Sequence, residues 1–133
     1  MRNALSLFIC VIFLSACATT YQPFQLFGTG GYTESQVGVA TYQVSYYGNH
    51  VTSMETLNTL LLYRCAELTL EKGYDGFQIT RGYGRQPISS MGGFRSVKYV
   101  IVMHGGAPQG QGDQSYDARA VLQEFGPYAK KSS

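Results

Sequence analysis

TSMETLNTLLLYRCAELTLEKG, residues 52 to 73, carries the signals of a helix at both ends. Thr52 stands as an N-cap, with Glu55 three positions on to complete a capping box, and Gly73 stands where a helix must stop. Between them Met54, Leu57, Leu61, Cys65 and Leu68 recur at helical spacing on one face, while Arg64, Glu67 and Glu71 fall on another. An amphipathic helix needs an apolar surface to lie on, and the flanking segments supply it as strands.

Upstream, residues 40–47 alternate: Tyr42, Val44 and Tyr46 against Thr41, Gln43 and Ser45, the period of a half-buried strand. Gly48-Asn49 ends it, and residues 32–37 read as a shorter strand before it. Downstream, residues 77–81 read as a strand with Phe77 and Ile79 inward, and residues 95–104 as the strongest strand of all. In the latter, Val97, Tyr99, Ile101 and Met103 line one face and Val100 and Val102 the other, which suits either a central position or a second face that is covered. Residues 82–94 and 105–115 are Gly-rich and read as loops. A second helix is expected over residues 117–125, with Ala118, Val121, Leu122 and Phe125 on one face and Gly126-Pro127 as its end. The expected fold is α+β: a small, mostly antiparallel sheet of three to four strands with two helices packed on it. The strand order stays open, because the long helix permits either a parallel crossover or a pairing with the last strand.

A chain of 133 residues suits one domain, and a hydrophobic fraction of 44% is enough to build its core. A net charge of +2 leaves no electrostatic footprint for nucleic acid. The cysteines at 10, 17 and 65 form no CxxC pair and no even-numbered framework, which removes zinc-ribbon and disulfide-scaffold readings.

Residues 1–17 read MRNALSLFICVIFLSAC. Arg2 precedes an apolar run too short for a transmembrane helix, the layout of a secretory signal peptide. Leu14-Ser15-Ala16-Cys17 looks like a bacterial lipobox, in which the cysteine thiol accepts a diacylglyceryl group and cleavage falls just before it. The expected division is a lipoprotein signal peptide at 1–16, a lipidated tether at 17–31 and a single α+β domain at 32–133. Ala18 in place of Asp after the cysteine resembles the sorting pattern of Gram-negative lipoproteins bound for the outer membrane, so the domain is expected to face the periplasm. Cleavage removes Arg2 and brings the charge from +2 still nearer to neutrality. Tyr21, Phe24 and Phe27 in the tether have either the membrane interface or the domain to rest on.

Gly31-Tyr32-Thr33-Glu34, then Tyr42-Gln43-Val44-Ser45-Tyr46-Tyr47-Gly48-Asn49, then Tyr63-Arg64-Cys65-Ala66-Glu67-Leu68-Thr69, then Gly73-Tyr74 and Phe77 follow at close intervals. This order resembles a family of small bacterial lipoproteins with a GY-x-E, Y-x-V-x-[FY]-x-GN, R-[AC]-AEL pattern. The resemblance covers residues 31–80. It implies an envelope lipoprotein and no established activity, so it transfers no catalytic residue. Alanine, common in that pattern where Cys65 stands here, implies that no thiol is required.

Cys65 reads as core packing, since free cysteine is among the most buried residue types. His50 and His104 show no HxxxH or HxH spacing, and a metal site needs several converging ligands, so no metal or cofactor is expected. The glycines of residues 27–31 and 82–93 match no phosphate-binding loop. Arg64 and Glu67, with Glu71 a turn further, read as a surface ion pair worth a few tenths of a kcal/mol. Arg81, Arg85, Arg95 and Lys98 gather about the first Gly-rich loop, either as solvated charges or as the contacts for an anionic partner. Of the 11 tyrosines, Tyr42 and Tyr46 belong in the core and Tyr47, Tyr83 and Tyr128 on the surface. The functional expectation is a non-enzymatic, lipid-anchored protein. It is held to the membrane through Cys17 and binds another envelope protein or a cell-wall component. The alternative is a small-ligand carrier or sensor with its pocket between sheet and helix.

Overall fold

The computed structural model describes residues 21–24, 30–49, 51–85, 95–106 and 114–131. Cys10, Cys17, His50 and Phe27 lie outside them, as does most of each Gly-rich loop. Among the described residues no helix is long and apolar enough to cross a membrane.

The elements run β1 (Gly30–Gly38), β2 (Thr41–Gly48), α1 (Met54–Glu71), β3 (Gly76–Arg85), β4 (Arg95–His104), β5 (Ser115–Asp117) and α2 (Ala118–Lys131). The five strands form one antiparallel sheet in the order β1-β2-β4-β3-β5. The class is the expected α+β, with one or two strands more than the sequence suggested. β2 and β3, joined through α1, run parallel to one another with β4 inserted between them, a split β-α-β unit.

α1 lies on the sheet and α2 lies on α1. This sandwiching explains why α1 buries more than one apolar stripe: Leu60, Ala66 and Thr69 join Leu57, Leu61, Cys65 and Leu68. The core between sheet and helix is filled by Val44, Tyr46, Leu57, Leu61, Phe77, Val97 and Ile101. Cys65 is 0% exposed, and burial pushes its thiol well above the ordinary range. It packs in the core with the leucines of α1.

The ends of α1 differ in one detail from expectation. The N-cap is Ser53, whose hydroxyl accepts from the Thr56 N–H at 3.1 Å. Thr52 is buried instead, held with its N–H and hydroxyl on Asn49 Oδ1. At the other end Gly73, with φ +83°, closes a Schellman motif: its N–H donates to Leu70 O and that of Tyr74 to Thr69 O.

Three boundaries move. β3 continues through Gly82-Tyr83-Gly84-Arg85, where glycine had suggested a loop. The alternate glycines fall on the helix side, where Tyr99 lies over Gly82 and Met54 over Gly84, so side chains from other elements occupy their places. β5 occupies residues expected as loop and helix start, with Tyr116 stacked on Phe77 at 5.3 Å. α2 passes through Gly126-Pro127 to Lys131. Pro127 is exposed and deprives the exposed residue Gln123 of a helical donor, a loss water can meet, while the added turn buries Ala129.

Residues 21–24, part of the segment read as a tether, are attached to the domain. Pro23 bridges Tyr32 in parallel, with Tyr32 N–H donating to Gln22 O and Phe24 N–H to Tyr32 O, both at 2.9 Å. Gly31, at φ +137°, makes this possible, because a Cβ there would sit 2.4 Å from Gln22 O.

Candidate functional site

Among the described residues the helices cover one face of the sheet and leave the other without a helix. Which residues reach that bare face is decided in β3. Ile79 pairs with Ile101, but Arg81, not Thr80, pairs with Val100, so Thr80 is an extra residue in a bulge. Strict alternation from Phe77 and Ile79 sends Arg81 under the helix. The bulge reverses this, placing Arg81, Tyr83 and Arg85 at register positions beside Val100, Lys98 and Ser96. On the other side of β4, Gln43, Ser45 and Tyr47 of β2 occupy the same rows.

These rows enclose a cleft of about 260 Å³, lined by Ser45, Tyr47, Tyr83, Ser96, Val97 and Lys98. Ser45 is buried at its floor, and Tyr83 stands out from the surface, 55% exposed. Hydroxyls, phenol rings and an ammonium group therefore line one depression, with the exposed Arg81 beside it. Such a set binds through hydrogen bonds, ring contacts and charge.

Of the four basic residues singled out in the sequence, the structure brings together Arg81 and Lys98, with Arg85 at the adjoining strand position. Arg95 parts from them. It pairs with Gly48 and donates from Nη1 to Thr52 O at 3.1 Å, tying the turn before α1 to the sheet.

A second cluster was only partly read from the sequence: Arg64 does pair with Glu67 and Glu71, but not at the surface and not alone. Arg64 is not on the surface: it is 6% exposed. Its Nε and Nη2 donate to the Glu34 carboxylate at 2.8 and 2.9 Å, and Nη1 and Nη2 to Glu71 at 2.8 and 3.1 Å. Nη1 also reaches Glu67 at 3.1 Å. The guanidinium lies 4.4 Å from the centroid of the Tyr32 ring, and the Tyr21 hydroxyl donates to Glu67. Burial opposes the Arg64 charge, but the Glu34 and Glu71 carboxylates outweigh it and hold the proton more firmly. The Tyr21 hydroxyl is pushed up by burial and by Glu67. Gly31-Tyr32-Thr33-Glu34 and Arg64-Cys65-Ala66-Glu67, two of the motif segments, thus meet as one ion cluster fastening β1 and residues 21–24 to α1. Their spacing along the chain carries no sign of this, since Glu34 and Arg64 are 30 residues apart.

His104 ends β4 over Gly76, where a Cβ would lie 2.6 Å from its Cε1. Its two ring nitrogens and the Ser115 hydroxyl are buried and bond to no described residue. Nearby Asp75 accepts from Gly106 N–H at 2.8 Å and from Arg119 Nη1 at 3.0 Å. No serine–histidine hydrogen bond joins these groups into a catalytic relay among the described residues. No group of three or more His, Cys, Asp or Glu suited to a metal is found among the described residues either.

Compared with protein-family models, with curated proteins and with solved structures, the chain matches none.

Proposed function

We propose that this chain is a lipid-anchored protein of the cell envelope that works by binding, not by catalysis, and that its docking surface is the helix-free face of the sheet. The observation that carries this reading is the cleft bordered by Tyr47, Tyr83 and Lys98 with Arg81 alongside. The anchor is the Cys17 thiol, in the outer membrane with the domain in the periplasm. The partners are the membrane, another envelope protein or a cell-wall component. The filled space between sheet and α1 supports surface binding over carriage in an interior pocket, the other expected role. The buried thiol of Cys65 supports a non-enzymatic role.

The anchor is tested by metabolic labelling with a lipid precursor. Cys17→Ala is expected to lose both the label and the membrane fraction, and a labelled variant overturns the assignment. The docking surface is tested with a photo-crosslinking amino acid at Tyr47 or Tyr83 in living cells. A discrete adduct at these positions, absent when the same group replaces exposed Tyr128, is expected. Equal, diffuse labelling at all three positions overturns the choice of face.

A further inference from the structure

Cys17 and Tyr21 are separated by only Ala18-Thr19-Thr20. An extended chain advances at most about 3.6 Å per residue, so the two are no more than about 14 Å apart along the backbone. Residues 21–24 are held on the domain. The Tyr21 ring lies 5.5 Å from Tyr32, 6.2 Å from Tyr46 and 5.1 Å from Tyr63. The Phe24 ring lies 5.0 Å from Tyr47, a wall of the cleft. On the reading that Cys17 carries lipid, the domain is moored against the bilayer beside the cleft, not at the end of a long leash.

The charge on the domain is distributed to match. Residues 21–24 lie at the start of β1, beside the end of β2 and hence the start of β4 and the end of β3, as the pairs Gly30 to Gly48, Gly48 to Arg95 and Arg85 to Ser96 establish. That end of the sheet holds Arg85 and Arg95, with Lys98 and Arg81 one and two rows in. Among the described residues the carboxylates lie off this face: Glu34, Glu67 and Glu71 gather about Arg64 on the helix side, where Glu67 also takes the Tyr21 hydroxyl, while Asp75 sits by Gly106 and Asp117 beside Gly76, at the far end of β4. Glu55, in the first turn of α1, is on the helix side.

We infer that the cleft end of the bare sheet face rests on the membrane that holds Cys17 and takes anionic phospholipid headgroups. Lys98 and Arg81 meet the phosphates, and Tyr47 and Tyr83 sit at the headgroup level, where a ring with a polar tip is favoured. Clustered basic groups close to an anionic leaflet are attracted to it, and the anchor removes most of the entropic cost of bringing them there.

The test uses the full lipidated chain, which has no tryptophan of its own. Tyr83→Trp and Tyr128→Trp are reconstituted on vesicles of brominated phosphatidylcholine, with and without phosphatidylglycerol. On the anionic vesicles Tyr83→Trp is expected to be quenched about twofold or more, and Tyr128→Trp, on the helix side, much less. Adding Arg81→Glu and Lys98→Glu to Tyr83→Trp is expected to abolish the difference, as is high salt. A chain that floats with both vesicles while the two tryptophans are quenched equally overturns the headgroup contact and leaves the anchor standing. A chain that fails to float with neutral vesicles overturns the anchor instead. The anionic vesicles then decide alone: flotation with quenching at position 83 supports the contact, and failure to float overturns it.

Discussion

Arg64 is the residue on which β1 depends. One buried guanidinium faces three carboxylates whose side chains remain between 28% and 53% exposed, so water shares the solvation of the acids but not of the base. Removing the base leaves Glu34 and Glu67 partly buried without the cation they share. Arg64→Ala is therefore expected to cost about 2–3 kcal/mol, read as a lower denaturant midpoint at unchanged slope. Glu71→Gln, at the exposed side of the cluster, is expected to cost under about 1 kcal/mol. A cost for Arg64→Ala as small as that of Glu71→Gln would falsify the fastening role. Asp75 offers a pH-dependent counterpart. The Gly106 N–H and then Arg119 hold its carboxyl below the ordinary value of 3.8. The stability this lends is fully present above 3.8 and is lost as pH falls through the lowered folded value. The gap in melting temperature between the protein and Asp75→Asn is thus expected to close on acidification through that range. A gap constant down to the acid limit overturns the assignment.

Elements were legible where one side chain in two faced the core, and illegible where the reason for a conformation lay in another element. α1, β2 and β4 were readable because their periodicity is their own. β4 appears with the expected ends, and Tyr42 and Tyr46 are buried as their alternation required. The second half of β3 was not readable, because its glycines are filled by Tyr99 and Met54 from elsewhere. The bulge at Thr80 was invisible for the same reason, and with it the side on which Arg81 and Tyr83 stand. The basic cluster was therefore found in the sequence, but not the face it shares or the departure of Arg95. α2 passing through Pro127 leads to a prediction at this scale. Pro127→Ala restores a donor for Gln123 and is expected to stabilise the protein by about 1–3 kcal/mol, measured by thermal unfolding. No gain would indicate that the proline relieves strain elsewhere in the last turn.

At the scale of the whole molecule, the described residues form a sheet with one side armoured by two helices and one side free of them. Hydrophobic patterning announced the armoured side, while the bare side, polar and aromatic, looks in sequence like ordinary strand surface. The order β1-β2-β4-β3-β5 has a consequence for how the molecule comes into being. The hairpin of β1 and β2 does not pair with β3; within the sheet β4 alone joins the halves, and it is the last long strand to be synthesised. Until residue 104 has emerged, the chain holds two unjoined pieces of sheet and a helix with half a floor. Non-local pairing of this kind closes late and all at once. A chain ending before Arg95 is expected to remain protease-sensitive and to give no cooperative unfolding transition. On the proposal that the chain is exported, the same delay keeps it threadable while most of it is still being made, so that passage through a narrow channel and final closure on the far side need no unfolding step between them.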